Sequence, residues 1–275
     1  MAVLKNKIDF ALVISAVNAN PNGDPLDGNR PRTTFDGRGE ISDVCLKRKI
    51  RNRLQDEGYS ILVQSDDRRN DDCRSINDRV NSVKELKKAS SEEYAKIACQ
   101  TWFDVRAFGQ VFAFGKSDES DSKSIGIRGP VTIQSAFSLE PVDISSLQIT
   151  KSVNLATGKD PDKKAPDTMG MKHRVDKGIY VTKGSINVQL AEKTGFSNED
   201  AEAIRKVLRT LFRNDASSAR PDGSMEVLKL VWWPHNCKNG QYSSAKVHRT
   251  LHVAPDGSIE LENLPDLVPE IIDGE

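Results

Sequence analysis

No stretch of the chain approaches the ~20 consecutive apolar residues of a membrane helix, so a spanning segment is not expected. The opening Met-Ala-Val-Leu-Lys lacks the layout of a secretory signal, and a cytoplasmic protein is the expectation. Cysteine is scarce. Cys45, Cys73, Cys99 and Cys237 are widely spaced with no CxxC pair, which argues against a disulfide framework. His248 and His252 lie four apart after Cys237, but a tetrahedral site needs a fourth ligand, so no metal is expected. There is no Walker loop, GxGxxG, nucleophile elbow or HExxH, and no cofactor is expected.

Net charge is also missing, with 40 basic and 40 acidic residues, but the balance is uneven along the chain. After Arg249 come seven acids and no Lys or Arg, leaving 40 basic against 33 acidic residues in the body. The tail reads as a solubilising end, with pairing to the basic body of a neighbouring copy as the alternative. The rest is 37% hydrophobic and 29% charged, an ordinary soluble composition long enough for one large domain or two small ones.

The stretch from Asn20 to Arg53 organises the chain. Pro21, Pro25 and Pro31 with Gly23, Gly28, Gly37 and Gly39 exclude a helix or central strand and specify a turn-rich loop. A helix follows, capped by Ser42 or Asp43, with Leu46, Ile50 and Leu54 on one face. Between them stand Lys47, Arg48, Lys49, Arg51 and Arg53, with no acid before Asp56. Beside a loop carrying Arg30 and Arg32, this unpaired cluster suits a polyanion; a solvated helix face is the plain alternative. Asp24, Asp27 and Asp36 in the loop read first as turn formers. A second reading has one of them orient a ribose 2′-hydroxyl or hold a metal for RNA cleavage.

Along the chain, Ile8–Val17 reads as a central strand and residues 58–64 as a short strand or connector. Helices are expected over Ile76–Leu86 and after Ser90, where Glu93 completes a capping box. Trp102–Phe114 shares Arg106, Phe108, Gly109 and Val111 with the aromatic strand of RNA-recognition modules; a core segment with a Gly turn explains it as well. Strands are expected over Val131–Leu139, Gly178–Leu190 and Val227–Trp233, with a further one within Gln241–Val253. Residues 149–174 hold few large apolar side chains and read as a protruding loop or hairpin, ending where Met169 sits beside Lys172, His173 and Arg174. Ser197–Asn214 is the clearest helix, with an Ile204, Val207, Leu208, Leu211, Phe212 stripe. Without the insertions the order is strand, helix, strand, strand, helix, strand. That is an α+β, RRM or ferredoxin-like order, whose sheet face often takes single-stranded RNA.

Five stretches together resemble one family. They are Asn20-Pro-Asn-Gly-Asp-Pro with Gly28-Asn-Arg-Pro-Arg; Ser42-Asp-Val-Cys-Leu-Lys-Arg-Lys-Ile-Arg-Asn; Arg128-Gly-Pro-Val-Thr-Ile-Gln; Met169-Gly-Met-Lys-His; and Thr194-Gly-Phe-Ser-Asn-Glu-Asp with Asp215-Ala-Ser-Ser-Ala-Arg-Pro. From about Asp9 to His235 the chain is similar to the backbone subunit of the type I-C CRISPR surveillance complex, Cascade, in the RAMP superfamily. The resemblance implies an RRM-like palm over 1–58, 102–148 and 175–253, an inserted finger over 59–101, a thumb over 149–174 and an acidic tail over 254–275. It implies a non-catalytic subunit that oligomerises along a CRISPR guide RNA, meets other Cascade subunits and presents the guide to target DNA. Ser42, Lys47 and Arg51 match the family's phosphate-contacting positions, and Met169 its base-displacing wedge. Met171 stands where a basic residue is common. With the charge pattern this nominates Asn20, Arg30, Arg32, Ser42, Lys47, Arg48, Lys49, Arg51, Arg128, Lys151, Met169, Lys172, His173 and Arg174 for RNA. The related type III subunits, which cut RNA with a loop aspartate, make Asp24, Asp27 and Asp36 the catalytic alternative.

Overall fold

The computed structural model describes residues 2–114, 123–150 and 169–275. Its first strand, β1 (Ile8–Ala19), is buried on both faces through Ala16, as an uninterrupted apolar run requires. A meander of short strands follows: β2 (Gly23–Asp24), β3 (Arg30–Pro31) and β4 (Arg38–Ile41). Helix α1 (Asp43–Asp56) is capped by the Ser42 hydroxyl, which accepts the Cys45 amide. The region expected to form the finger holds α2 (Ile76–Ser82) and α3 (Ser91–Thr101) with the expected Ser90–Glu93 capping box, and α4 (Phe103–Phe108) follows it. Then come β5 (Gly109–Phe114), β6 (Lys123–Arg128), β7 (Val131–Ile133), β8 (Ala136–Pro141), β9 (Ile144–Thr150) and β10 (Met169–Ile186). The chain closes with α5 (Val188–Thr194), α6 (Asn198–Arg209), β11 (Met225–Pro234), α7 (Ser244–Arg249), β12 (Leu251–Val253), β13 (Ile259–Leu261) and β14 (Glu270–Asp273).

The main sheet is antiparallel in the order β14-β11-β1-β10-β8-β4, with β7 and β9 also on β10. Even-numbered residues of β1 (Phe10, Leu12, Ile14) join α1 and α6 in the largest core. Ala11, from the other face, joins Val231, Trp233, Val247, Leu251, Leu264 and Leu267 in a separate one. The sheet face opposite α1 and α6 is therefore covered over this region by α7 and the β12–β13 hairpin. It is not the open RNA platform that strand order alone suggests.

Several expectations change. Residues 58–64 form no strand. Phe103–Phe108 is a helix, so Arg106 and Phe108 do not stand on an RNA-facing strand. Helical spacing sends Phe103 and Ala107 to the main core while Val105 enters a finger core with Leu62, Tyr94, Trp102 and Phe112. Gly109, at φ 81°, ends it; a Cβ there would overlap the Ile127 carbonyl. The β5–β6 pair is a sheet of its own, and the finger core reaches to Ile127, beyond the 59–101 expected. Strand β10 stops at Ile186, where Asn187 caps α5 by accepting the Leu190 amide. Within Gln241–Val253, Ser243 caps α7 before the short β12. Nor is the acidic tail loose: it contributes β13, β14 and the buried Leu264 and Leu267, because apolar residues alternate with its acids.

The rear core encloses a polar cluster. Asp9, fully buried, accepts from Lys7 Nζ at 2.6 Å and lies 2.8 Å from His235 Nε2. Burial opposes its charge, but the His235 and Lys7 hydrogen bonds outweigh this and hold it below the ordinary carboxylate range. His248, 6% exposed, reaches the Gly184 carbonyl at 3.1 Å, and burial pushes its pKa down. The folded chain thus holds the His248 proton less tightly than the unfolded chain does. Stability is fully present above the unfolded pKa of about 6.5 and is lost as pH falls below it through the lower folded value. Urea midpoints measured at pH 7.5 and 5.5, values on either side of that pKa, should fall with pH, and His248→Gln should flatten the slope.

Candidate nucleic-acid interface

The turn-rich loop is pinned in place by its own polar side chains. Asn20, 2% exposed, donates from Nδ2 to the Asn29 carbonyl at 2.7 Å, and its backbone amide bonds Ala219. Asn22 Oδ1 accepts both the Ser42 amide and its hydroxyl, at 2.9 and 2.8 Å. Asp24 accepts the Leu26 amide at 3.0 Å and pairs with Arg32 at 3.3 Å. Asp36 sits in a Thr34-Phe35-Asp36-Gly37 turn, accepting from Thr34 and pairing with Arg38. Asp27 is exposed at the end of a 3₁₀ turn. Turn formation accounts for Asp24 and Asp36, and among the described residues no three His, Cys, Asp or Glu converge as a metal site would need.

Helix α1 is not the free cationic face that its sequence suggests. Lys49, 3% exposed, bonds Asp215, and burial pushes its pKa down despite that partner. Arg51 pairs with Asp104 at 2.9 Å and stacks over Phe108. Arg53, 3% exposed, bonds Thr210 and pairs with Asp56 and Glu57. Arg48 donates to the Val63 carbonyl at 2.7 Å, and Lys47 pairs with Asp43 one turn back at 3.0 Å. The acids absent from the linear neighbourhood arrive from other elements, so these cations chiefly fasten α1 to α4, α6 and the finger.

The β9–β10 hairpin is different. It runs in register from Val175↔Ile144 to Met169↔Thr150. Cross-strand partners share a face, which places Met169, Met171 and His173 with Gln148 and Ser146 on one side. Lys172 and Arg174 share the other side with Leu147, Ile149 and Ser145. Apolar side chains stand open to solvent on both sides: Met169 66%, Met171 53%, Leu147 46% and Ile149 50% exposed. His173 Nδ1 lies 2.8 Å from the Ser146 hydroxyl. Arg174 reaches Asp176 at 3.8 Å, whereas Lys172 has no ion-pair partner among the described residues. Lys151 lies outside the described residues.

Loop and hairpin meet at the hairpin's root. Ala19 pairs with Val175, Asn20 beside it holds the Asn29 carbonyl, and β3 therefore lies along β10. This brings Arg30 and Arg32 to the same end of β10 as Lys172 and Arg174. Arg30 is exposed and unpaired among the described residues. Arg128 is exposed at the end of β6, on the separate finger sheet. Two loop-tip side chains had no signal beyond being apolar within polar turns: Leu26 at 97% and Phe35 at 110% exposure.

The family whose description is CRISPR-associated protein Cas7 matches residues 6–269. The chain belongs to the Cas7 family. A CRISPR-associated protein Cas7 of Haloferax volcanii is 27% identical over 286 residues, covering 97% of this chain and 81% of that protein. A chain of a solved CRISPR RNA-guided surveillance complex in a pre-nicking state is 15% identical, with a TM-score of 0.48, over 82% of this chain and 75% of the other. A chain of a second CRISPR RNA-guided surveillance complex is 18% identical, with a TM-score of 0.47, over 92% and 77%. In this Cas7-family chain the nominated residues thus divide into three groups. Asn20, Ser42, Arg48, Lys49 and Arg51 are held in internal bonds. Arg30, Arg32, Met169, Lys172, His173 and Arg174 share the hairpin and its root. Lys47 is paired within α1 to Asp43, Arg128 stands apart on the β5–β6 sheet, and Lys151 lies outside the described residues.

Proposed function

We propose that this Cas7-family chain is a non-catalytic backbone subunit of a type I-C Cascade. Copies assemble along a CRISPR guide RNA, meet the other subunits of the complex and present the guide for pairing with target DNA. The observation that carries the reading is the β9–β10 hairpin, which exposes apolar side chains on both sides above a cationic root. One side can enter the strand while the other meets a neighbouring copy. The central order β11-β1-β10-β8, with α1 and α6 on one face, supports an RRM-like palm beneath that thumb.

A subunit that carries any guide must hold phosphates rather than read bases. Arg30, Arg32, Lys172 and Arg174 supply charge to the backbone. Met169 is the wedge that separates neighbouring bases, a step costing ~a few kcal/mol per base. The guide itself then reads the DNA by base pairing. No observation favours the nuclease reading, since Asp24 and Asp36 are occupied within their turns.

The test of assembly is Leu147→Asp with Ile149→Asp. Both side chains are exposed, so thermal unfolding should move little, by about 0.5 kcal/mol or less. Mass photometry on a guide-length RNA should show single bound copies where the unaltered chain gives arrays. Unchanged arrays would remove the hairpin from the neighbour contact. Incubation with labelled RNA and Mg²⁺ should leave the RNA intact; cuts abolished by Asp24→Asn, Asp27→Asn or Asp36→Asn would reverse the non-catalytic assignment.

A further inference from the structure

The C-terminal acids do not face solvent alone. Glu270 accepts from Arg205 Nη2 at 2.6 Å. Asp273 pairs with Lys229, which holds its carboxyl below the ordinary range, and its backbone carbonyl accepts Arg209 Nε at 2.9 Å. Glu275 pairs with Arg209 at 2.5 Å and with Arg213, while its amide bonds the Arg209 carbonyl at 3.1 Å. The segment is guided into place at Gly274, where a Cβ would collide with the Val227 carbonyl. Between α6 and this strap runs an open groove of about 260 Å³, lined by Arg205, Lys206, Arg209, Arg213, Thr210 and Ile272 among others.

The strap is an edge strand, held through its backbone by the β14–β11 ladder and only lightly by its side chains. Of its side chains only Ile272 packs partly against the core; Glu270, Ile271, Asp273 and Glu275 are exposed. Exposed ion pairs are individually weak and screened by salt. The cations beneath are ordered differently. Arg205 and Arg209 are four residues apart on α6, about 6 Å along its axis, and Arg213 continues the line in the following turn. Guanidinium forks at regular steps suit a row of phosphates. Glu202, 3.5 Å from Arg205, and Glu57, paired with Lys206, are the acids that stay when the strap leaves.

We propose that the Arg205–Arg209–Arg213 face of α6 is a second site for single-stranded nucleic acid, closed in the free protein by its own C-terminal carboxylates. It is separate from the loop and hairpin root assigned to the guide, and each can fail without the other.

The probe is fluorescein-labelled oligothymidylate, read by anisotropy on the full chain. Glu270→Gln, Asp273→Asn and Glu275→Gln together should tighten binding several-fold and steepen the salt slope by about 0.7 for each additional phosphate that the arginines hold. Adding Arg205→Gln, Arg209→Gln and Arg213→Gln should abolish that tightening. The same increment should appear in an Arg30→Ala, Lys172→Ala background, where the guide site is weakened. No tightening, or tightening that survives loss of the arginines, overturns the proposal. In the unaltered protein, hydrogen exchange over 270–275 should speed up when the oligonucleotide is added; unchanged protection of the strap also overturns it.

Discussion

Replacing Arg30 and Lys172 by alanine together weakens single-stranded RNA binding by about 25-fold at ~0.1 M monovalent salt if each holds one phosphate. The figure follows from counterion release alone, which contributes a slope near 0.7 per phosphate on a single strand, about 1.4 log units for two phosphates. The loss should be the same for any RNA sequence, because backbone contacts carry no base information. Both side chains lack ion-pair partners among the described residues, so truncation leaves no buried charge behind and the fold should be unaffected. The informative contrast is Lys49→Met. Lys49 is as cationic in the sequence, but it is buried against Asp215, so the salt slope should be unchanged. A Lys49 change that flattens the slope while Arg30 and Lys172 do nothing would return the interface to α1.

The largest stability effect is expected at Asp104. Its carboxylate, 1% exposed, accepts the Leu62 amide at 2.8 Å and the Val63 amide at 3.1 Å and pairs with Arg51. One side chain thus fastens the finger connection, α4 and α1 together. Asp104→Ala leaves a largely buried guanidinium and two amides without this acceptor, a loss of about 3–5 kcal/mol. In a chain of this size that lowers the melting temperature by on the order of 10 °C. Replacing Arg51 by Met and Asp104 by Leu together should cost less than Asp104→Ala alone, since no charge is then left unpaired. Calorimetry on the single and double variants decides it; an Asp104→Ala protein melting with the unaltered chain would refute the role.

What the linear sequence disclosed, and what it hid, divides by the distance over which partners act. The Ser42 and Ser90 caps, and the Leu46, Ile50, Leu54 stripe, depend on residues within one or two turns, and all were legible. The ion pairs of Lys49 and Arg51 were not, because Asp215 and Asp104 come from distant elements. A run without a nearby acid therefore looked free when it was not. Phe103–Phe108 misled because a short apolar run fits a strand or a buried helix equally, and only the Gly109 turn and the Asp104 bonds separate the two. The tail misled because acid count masked its alternation. At the proposed interface, Met169, Lys172 and Arg174 stood out as apolar and cationic neighbours. Leu147 and Ile149 did not, since their exposure follows only from pairing with β10.

The central claim is that cations at the root of the β9–β10 hairpin and in the adjoining loop hold a strand by its phosphates, whatever its bases. Titrating the protein with two single-stranded RNAs of unrelated sequence across a range of salt concentrations tests it directly. Equal affinities and one shared linear slope, reduced by about 1.4 in the Arg30→Ala, Lys172→Ala protein, are the predicted result. Affinities differing tenfold or more between the two RNAs, or a slope that the double substitution leaves unchanged, would contradict it.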